Sequence, residues 1–301
     1  MLERPAMTGS EAISVIVPTT ASAQRAETLR RALASLRAQE GARAIPIVVA
    51  NGPRRDAAVM AYLRSARDLR LVEQDEPGAP KALATGRRAV DTAFFGVLDD
   101  DDEYTSDALA VRGGALARDS NVDVVVTNGF RGPNGTERLL MPDIDTFQMD
   151  PLAALCETNW LGSCSALFRA DRFGAELFAA MPAYLEWTYL AARIGLERRV
   201  VFLAKPTFRN YVGTEGSLSG SPEYTRGMPD ALHRILSLPL PPRLRRHYRN
   251  AYLAALHSAS MLELSERNRG SAWLYHLRSL GGLRGLRYLS YTRHLLAPRT
   301  T

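Results

Sequence analysis

The chain has 301 residues, with 38 Lys and Arg against 32 Asp and Glu (net +6) and 46% hydrophobic residues. That length holds one large domain or two ordinary ones, and the composition excludes a disordered chain, a collagen-like repeat and a disulfide scaffold. No apolar run approaches the roughly 20 residues of a membrane-crossing helix and the first ten residues hold no signal-peptide core, so a cytoplasmic location is expected.

Residues 13–17 are short, β-branched and apolar, which predicts a strand buried on both faces and stopped by Pro18. Between about residues 25 and 39, Leu29, Leu33 and Leu36 recur at spacings of four and three, one face of a helix. A second strand is predicted at 45–50, ended by Asn51-Gly52-Pro53, then a helix at 56–66 and a third strand at 69–73. After a loop holding Pro77, Gly78 and Pro80 come a helix at 81–90 and a fourth apolar strand at 94–98. This alternation predicts an α/β fold with a mostly parallel sheet covered on both faces.

Residues 122–127 are rich in β-formers, and Gly132-Pro133-Asn134-Gly135 ahead of 136–141 has the turn chemistry of a hairpin. Asn134-Gly135-Thr136 also spells a glycosylation sequon, read here as a turn. Helices at 151–157 and 185–194 flank a strand at 163–168, and another strand is expected at 199–204. From about Pro229 the chain is rich in Leu, Arg and Tyr with helical spacing, broken at 239–242 and at Gly281-Gly282.

Cys156 and Cys164 cannot make a zinc site alone and are expected to be reduced and buried. The five histidines all follow residue 230. A Ser-His-Asp triad or His-rich metal site within the first 230 residues is therefore excluded, and a metal there would take oxygen ligands, favouring Mg²⁺ or Mn²⁺. Such ligands stand together in Asp99-Asp100-Asp101-Asp102, at the end of the fourth strand. Adjacent carboxylates repel unless a cation or donor lies nearby, and the ends of parallel strands are where open α/β sheets bind ligands. A divalent ion bridging this turn to a diphosphate would relieve the repulsion and neutralise a leaving group. The plain alternative is a solvated turn at the start of the next helix.

The stretches VPTTASAQRAETLRRALASLRAQ (17–39) and EPGAPKALATGRRAVDTAFFGVLDDDD (76–102), with LEWTYLAAR (185–193) and GSLS (216–219), resemble glycosyltransferase family 2 over about residues 13–220. The resemblance implies a GT-A fold: a mostly parallel sheet flanked by helices, with residues 1–120 as the donor-binding half, 121–228 as the acceptor-binding half and 229–301 as a basic α-helical extension. It implies inverting transfer of a sugar from a nucleoside diphosphate to an acceptor hydroxyl, assisted by Mg²⁺ or Mn²⁺ without an organic cofactor.

By the same resemblance, Pro18, Thr19 and Thr20, with Arg25 nearby, would line the base and ribose pocket, and Asn51 and Gly52 would meet the base. Gly78 and Lys81 would lie under the donor sugar and phosphates. Asp100 would hold the ribose, while Asp101, with Asp99 acting indirectly, would hold the metal. Glu186 would be the base that takes the acceptor proton; its plain alternative is a helix N-terminal carboxylate. Trp187 would stack on a sugar or sit in the core, and Trp160, Gly162 and Ser163 would floor the acceptor side or simply pack.

The chain departs from the family pattern in four places. Leu83-Ala84 replaces Arg-Asn, Asn51 replaces a frequent Asp, the acidic pair of the acceptor helix is reduced to Glu186-Trp187, and a histidine is missing from 212–215. Two other readings are kept: a sugar-1-phosphate nucleotidyltransferase, which would have a glycine-rich loop where Pro18-Thr19-Thr20 stand, and a non-catalytic nucleotide-sugar binder.

The expected partners are a nucleoside-diphosphate sugar and a glycan, lipid-linked or small-molecule acceptor, with no nucleic-acid motif in the chain. Residues 231–301 hold 12 basic and two acidic side chains, so the basic surplus lies in the C-terminal extension and the first 230 residues are net acidic. Arg243, Arg245, Arg246 and Arg249 form one cluster; Arg278, Arg284, Arg287 and Arg293, set among leucines, form another. Two readings stand: a helical lid or homo-oligomer contact, and a peripheral contact with the inner face of a membrane.

Overall fold

The computed structural model describes residues 12–133, 136, 138–212 and 221–296. Its first half follows the predicted alternation: β1 (Ala12–Thr19), α1 (Ala26–Arg37), β2 (Arg43–Asn51), α2 (Ala57–Ser65), β3 (Arg70–Gln74), α3 (Ala79–Arg88) and β4 (Phe94–Val97). Then come β5 (Glu103–Tyr104), α4 (Ala108–Arg118), β6 (Val124–Gly132), β7 (Arg138–Leu139), α5 (Ile144–Met149), α6 (Pro151–Ala154), β8 (Ala166–Arg169), α7 (Ala175–Ala179), α8 (Glu186–Glu197) and β9 (Val200–Tyr211). The chain closes with α9 (Pro222–Leu236), α10 (Pro242–Ser265), α11 (Arg269–Ser279), a 3-10 segment (Gly285–Tyr291) and α12 (Thr292–Leu296).

One sheet joins the described strands in the order β3-β2-β1-β4-β8-β6-β9-β5, with β7 beside β6. The β3-β2-β1-β4 part and the β6/β9 pair are parallel, so the sheet is mostly parallel. Antiparallel β8 sits between β4 and β6. The period of two in β1 and β2 divides the core. Ile13, Val15 and Val17 share one apolar layer with Val48 and Leu29, Leu33 and Leu36 of α1, while Ile16, Ile47 and Val49 share the other with Ala82, Leu83 and Ala84 of α3. Each buried leucine contributes on the order of 1.5–3 kcal/mol.

Some boundaries moved. β1 runs through Pro18 to Thr19, because β4 pairs only as far as Ile16 and the missing proline N–H falls beyond that ladder. α2 starts after Asp56, whose side chain accepts from Ala58 and Val59 N–H at 2.9 and 3.0 Å. The hairpin β6–β7 exists, while its turn residues Asn134 and Gly135 lie outside the described residues. α9 begins at Pro222, capped by the Ser221 hydroxyl, and continues through Pro229. The breaks at 239–242 and at Gly281-Gly282 separate helices as expected. Cys164 is buried, but Cys156 is only half-buried.

α3 rides directly on β1. A Cβ at Gly86 would lie 2.4 Å from Ile16 Cγ2, so glycine sets this spacing. At Gly270, in the first turn of α11, a Cβ would meet nothing within 4 Å. Gly86→Ala is therefore expected to lower unfolding free energy by about 1–3 kcal/mol through overpacking. Gly270→Ala should raise it by about 0.5–1 kcal/mol, both read from urea unfolding midpoints.

Candidate functional site

β1, β2 and β3 run outward in one direction and β4 returns to the other side of β1, so the chain reverses its order between β1 and β4. That is the switch point where open α/β sheets leave a crevice at the strand C-termini. Thr19 ends β1 there, and its hydroxyl donates to Asp100 Oδ2 at 2.6 Å. Asn51, at the end of β2, donates to the Thr19 carbonyl at 3.0 Å and accepts from Gly78 N–H at 3.3 Å. Gly52 and Gly78 have φ of +82° and +124°, backbone that favours glycine. Thr19, Asn51, Gly52, Gly78 and Asp100 are thus brought to one place, with Pro18 and Thr20 half-buried beside Thr19.

Each carboxylate of the acidic turn has its own partner from a different element. Asp99 accepts from Ser163 Oγ at 2.7 Å. Asp101 pairs with Arg25 at 2.8 Å, Asp100 lies 3.4 Å from the same guanidinium, and the Asp101 carbonyl accepts from Arg31 at 2.7 Å. Asp102 accepts from Asn210 Nδ2 at 2.8 Å and from Tyr211 N–H at 3.1 Å. Burial pushes Asp99 well above the usual carboxylate range, with the charges of Asp102 and Asp101 adding to it. Burial likewise raises Asp100 to about 6 and Asp102 to about 7, against the lowering effects of Arg25 and Asn210 respectively.

Asp99, Asp101 and Asp102 each offer an oxygen within 4.8 Å of the others. An all-oxygen set, two of whose members, Asp99 and Asp102, burial makes reluctant to ionise, suits a hard divalent cation such as Mg²⁺ or Mn²⁺. Asp102 stands within the same reach as Asp101 and Asp99, the two acids expected to hold the metal. Its burial depends on β9, which no local pattern connects to the acidic run.

Arg112, missed in the sequence, is fully buried behind the turn. It donates to Thr127 and Thr207 hydroxyls and to the Cys164 carbonyl at 2.7 Å, and its guanidinium lies 4.5 Å from the Tyr104 ring centroid. It thereby holds the Ser163-Cys164 backbone that presents Ser163 to Asp99. Ser163 belongs to the acidic turn as much as to any acceptor floor. A Cβ at Gly162 would meet nothing within 4 Å, so the backbone there faces open space.

Glu186 belongs to a second group. Tyr184 and Leu185 both take left-handed backbone, with φ of 64° and 53°, immediately before α8. This bend lets Glu186 Oε1 accept from Tyr184 N–H at 3.1 Å. The Tyr184 ring meets Tyr224 edge-on at 5.2 Å and covers Gly227, where a Cβ would lie 2.3 Å from it. Burial raises the Glu186 carboxyl above its usual range, with the two backbone N–H groups at Tyr184 and Glu186 pulling the other way.

Three further expected residues have the following surroundings. Trp160 does not line a cleft: its indole is fully buried, donates to the Pro151 carbonyl at 2.8 Å and meets Phe202 edge-on. Trp187 is half-buried against the same core. Lys81 is exposed and pairs with Glu76 at 3.0 Å. Leu83 and Ala84 are buried core residues, so the departure from Arg-Asn there is a packing choice. The 213–219 stretch, where a histidine is missing and GSLS stands, lies outside the described residues.

The Glycosyl transferase family 2 model matches residues 14–171, more than half of the chain. The chain belongs to glycosyl transferase family 2. The family match contains β1 from Ser14 onward, β4, the acidic turn and Ser163. No protein with a curated description matches significantly. Among solved structures, S. aureus TarS 1-349 in complex with UDP-GlcNAc is 17% identical with a TM-score of 0.56, covering 88% of this chain and 80% of that one. The mannosyltransferase PcManGT from Pyrobaculum calidifontis, in complex with GDP-Man and Mn²⁺, is 18% identical with a TM-score of 0.55, covering 96% and 81%. The chain spans 43% of a longer S. aureus TarS structure. These likenesses show the fold: a mixed α/β family 2 domain with a helical C-terminal region.

A carboxyl held above its unfolded value of 3.8 favours folding while protonated and opposes it once charged, so its contribution is lost as pH rises through about 6 for Asp100 and about 7 for Asp102. In chelator, the melting temperature of Asp102→Asn relative to the parent is expected to climb between about pH 4 and about pH 7 and then level off. Mn²⁺ should stabilise the parent in the upper part of that window and the variant much less. Parallel melting curves across this range would refute the reading.

Proposed function

We propose that this glycosyltransferase moves a sugar from a nucleoside diphosphate to an acceptor hydroxyl with inversion, by divalent-cation-assisted single displacement. The observation that carries the reading is the acidic turn at the β1/β4 switch point, tied by Thr19 to β1 and through Asn51 to β2 and the Gly78 loop. The solved neighbours that hold UDP-GlcNAc, or GDP-Man with Mn²⁺, support it.

Pro18, Thr19, Thr20, Gly52 and Gly78 shape the nucleoside pocket. Asn51 bonds the Thr19 carbonyl and the Gly78 N–H, which braces that pocket, and its amide has a further N–H and oxygen lone pair with which to meet the base edge. Asp100 and Arg25 face the ribose and phosphates, and Lys81 exchanges Glu76 for a phosphate oxygen. Asp99, Asp101 and Asp102 would hold the cation, which supplies Lewis-acid neutralisation of the departing diphosphate. Glu186, kept above its usual range by burial, accepts the acceptor's hydroxyl proton. The bond from that oxygen to the anomeric carbon forms while the bond to the phosphate oxygen breaks. Residues 1–120 supply the donor side and 121–228 the acceptor side, with Gly162 and Trp187 flanking the acceptor. Family membership leaves no ground for the nucleotidyltransferase alternative.

A panel of UDP-, GDP- and dTDP-sugars with Mn²⁺ identifies the donor by thermal shift. With that donor, Glu186→Gln is expected to lower transfer about 10²–10⁴-fold with donor affinity unchanged. Asp101→Ala should remove the Mn²⁺-dependent part of donor affinity. Full transfer by Glu186→Gln would overturn the role given to Glu186, and the absence of any donor shift would favour a chain that does not use nucleotide sugars.

A further inference from the structure

Packing at the C-terminal end is inverted. The residues of α11, the 3-10 segment and α12 that turn inward are Ala272, His276, Ser279, Gly285 and Leu295, all buried. Six of the eight leucines in this stretch turn outward: Leu274, Leu277, Leu283, Leu286, Leu289 and Leu296 are each more than half exposed, Leu283 at 88%. A surface helix ordinarily does the reverse, with its apolar stripe on the core.

The arrangement is held in place from inside. Ser260 Oγ donates to the Ala272 carbonyl at 2.7 Å, and His276 Nε2 meets Thr292 Oγ1 at 2.8 Å. The His257 ring stacks on Tyr288 at 4.2 Å, and a Cβ at Gly285 would lie 2.4 Å from the Ser279 carbonyl oxygen. Gly285 thus allows the 3-10 segment to fold flat against α11, and the i, i+3 geometry of that segment stacks Leu286 and Leu289 in one row.

The charge around these leucines has one sign. Residues 267–301 contain seven arginines and no Asp or Glu. Arg278, Arg284, Arg287 and Arg293 are exposed among the leucines. An isologous contact with a second copy would set this cationic patch against itself. An anionic lipid surface is complementary in both respects: its headgroups match the arginines and its acyl boundary takes the leucines. No helix among the described residues is long and apolar enough to cross a membrane, so the contact is one of lying on the surface.

We infer that α11, the 3-10 segment and α12 dock this glycosyltransferase peripherally on anionic lipid. The docking does not depend on the transfer chemistry, so the two readings succeed or fail separately. The test is co-sedimentation of the full chain with phosphatidylcholine vesicles, with or without phosphatidylglycerol. At least tenfold stronger partitioning onto the anionic vesicles is expected, falling as salt is raised. Arg284→Glu with Arg287→Glu should weaken it at least thirtyfold, as two charges near an anionic surface require. Leu283→Glu with Leu286→Glu should abolish it, and Leu283→Ser with Leu286→Ser should weaken it at least tenfold. All four side chains are exposed, so circular dichroism and the melting temperature should stay at parent values; the serine pair and the salt series carry the test if a glutamate variant does not fold. Failure of the parent chain to sediment with anionic vesicles overturns the inference, as does equal sedimentation of the variants. A parent dimer in light scattering that the leucine variants dissociate would assign the patch to a second copy instead.

Discussion

Everything at the functional end of the sheet answers one electrostatic problem: four carboxylates on consecutive residues, three of them largely out of water. An ionised carboxylate buried without partners costs several kcal/mol. The molecule offsets that cost with donors drawn from separate elements, each aimed at one acid. Thr19 comes from β1, Arg25 from the lead-in to α1, Ser163 from the loop before β8, and Asn210 and Tyr211 from β9. The offset is incomplete, as the upward displacement of Asp99, Asp100 and Asp102 shows. A site left short of positive charge in this way is preorganised for a cationic guest, and its cost to stability is what gives such a guest something to relieve.

The parallel half of the fold was legible because β1 and β2 are largely β-branched runs stopped at Pro18 and at Asn51-Gly52-Pro53, and α1 between them shows a leucine stripe at helical spacing. The acidic turn was legible as composition alone. Its architecture was not. Asp102 looks no different from Asp101 in sequence, and only the return of β9 buries one while leaving the other facing Arg25. No element is predicted for the Gly-Gly-containing segment that holds Arg112, yet tertiary packing makes that segment α4 and buries the guanidinium among Thr127, Thr207 and Tyr104. Trp160 shows the same limit: the sequence leaves open whether it floors the acceptor side or packs, and the partner it packs on, Phe202, lies on a strand 42 residues further on. Contacts of that range have no local signature.

The C-terminal helices show the same limit in another form. Their mixture of Leu and Arg is plain in the sequence, but a helical spacing of leucines says only that they share a face, not which face. The answer lies in Ala272, His276, Ser279 and Gly285, small or polar residues that take the inward positions, Ala272 bonded to Ser260 of α10 and Gly285 lying against the end of α11, and so leave six leucines outside. The inner residues decide the orientation of the outer ones.

The anchoring of Asp102 by Tyr211 has a consequence for how the enzyme is made. The two residues are separated by 109 positions, and Thr19 and Asp100 by 81. Contacts of such range form late, because long loops must close before they are rewarded. During synthesis at roughly 5–20 residues per second, Asp102 leaves the ribosome about 5–20 s ahead of the strand that secures it. For that interval β1–β4 can pair while the acidic turn remains solvated and without its final shape. Competence to hold a ligand there therefore comes only after the chain has committed to β9, which makes the site a report that the whole sheet has closed.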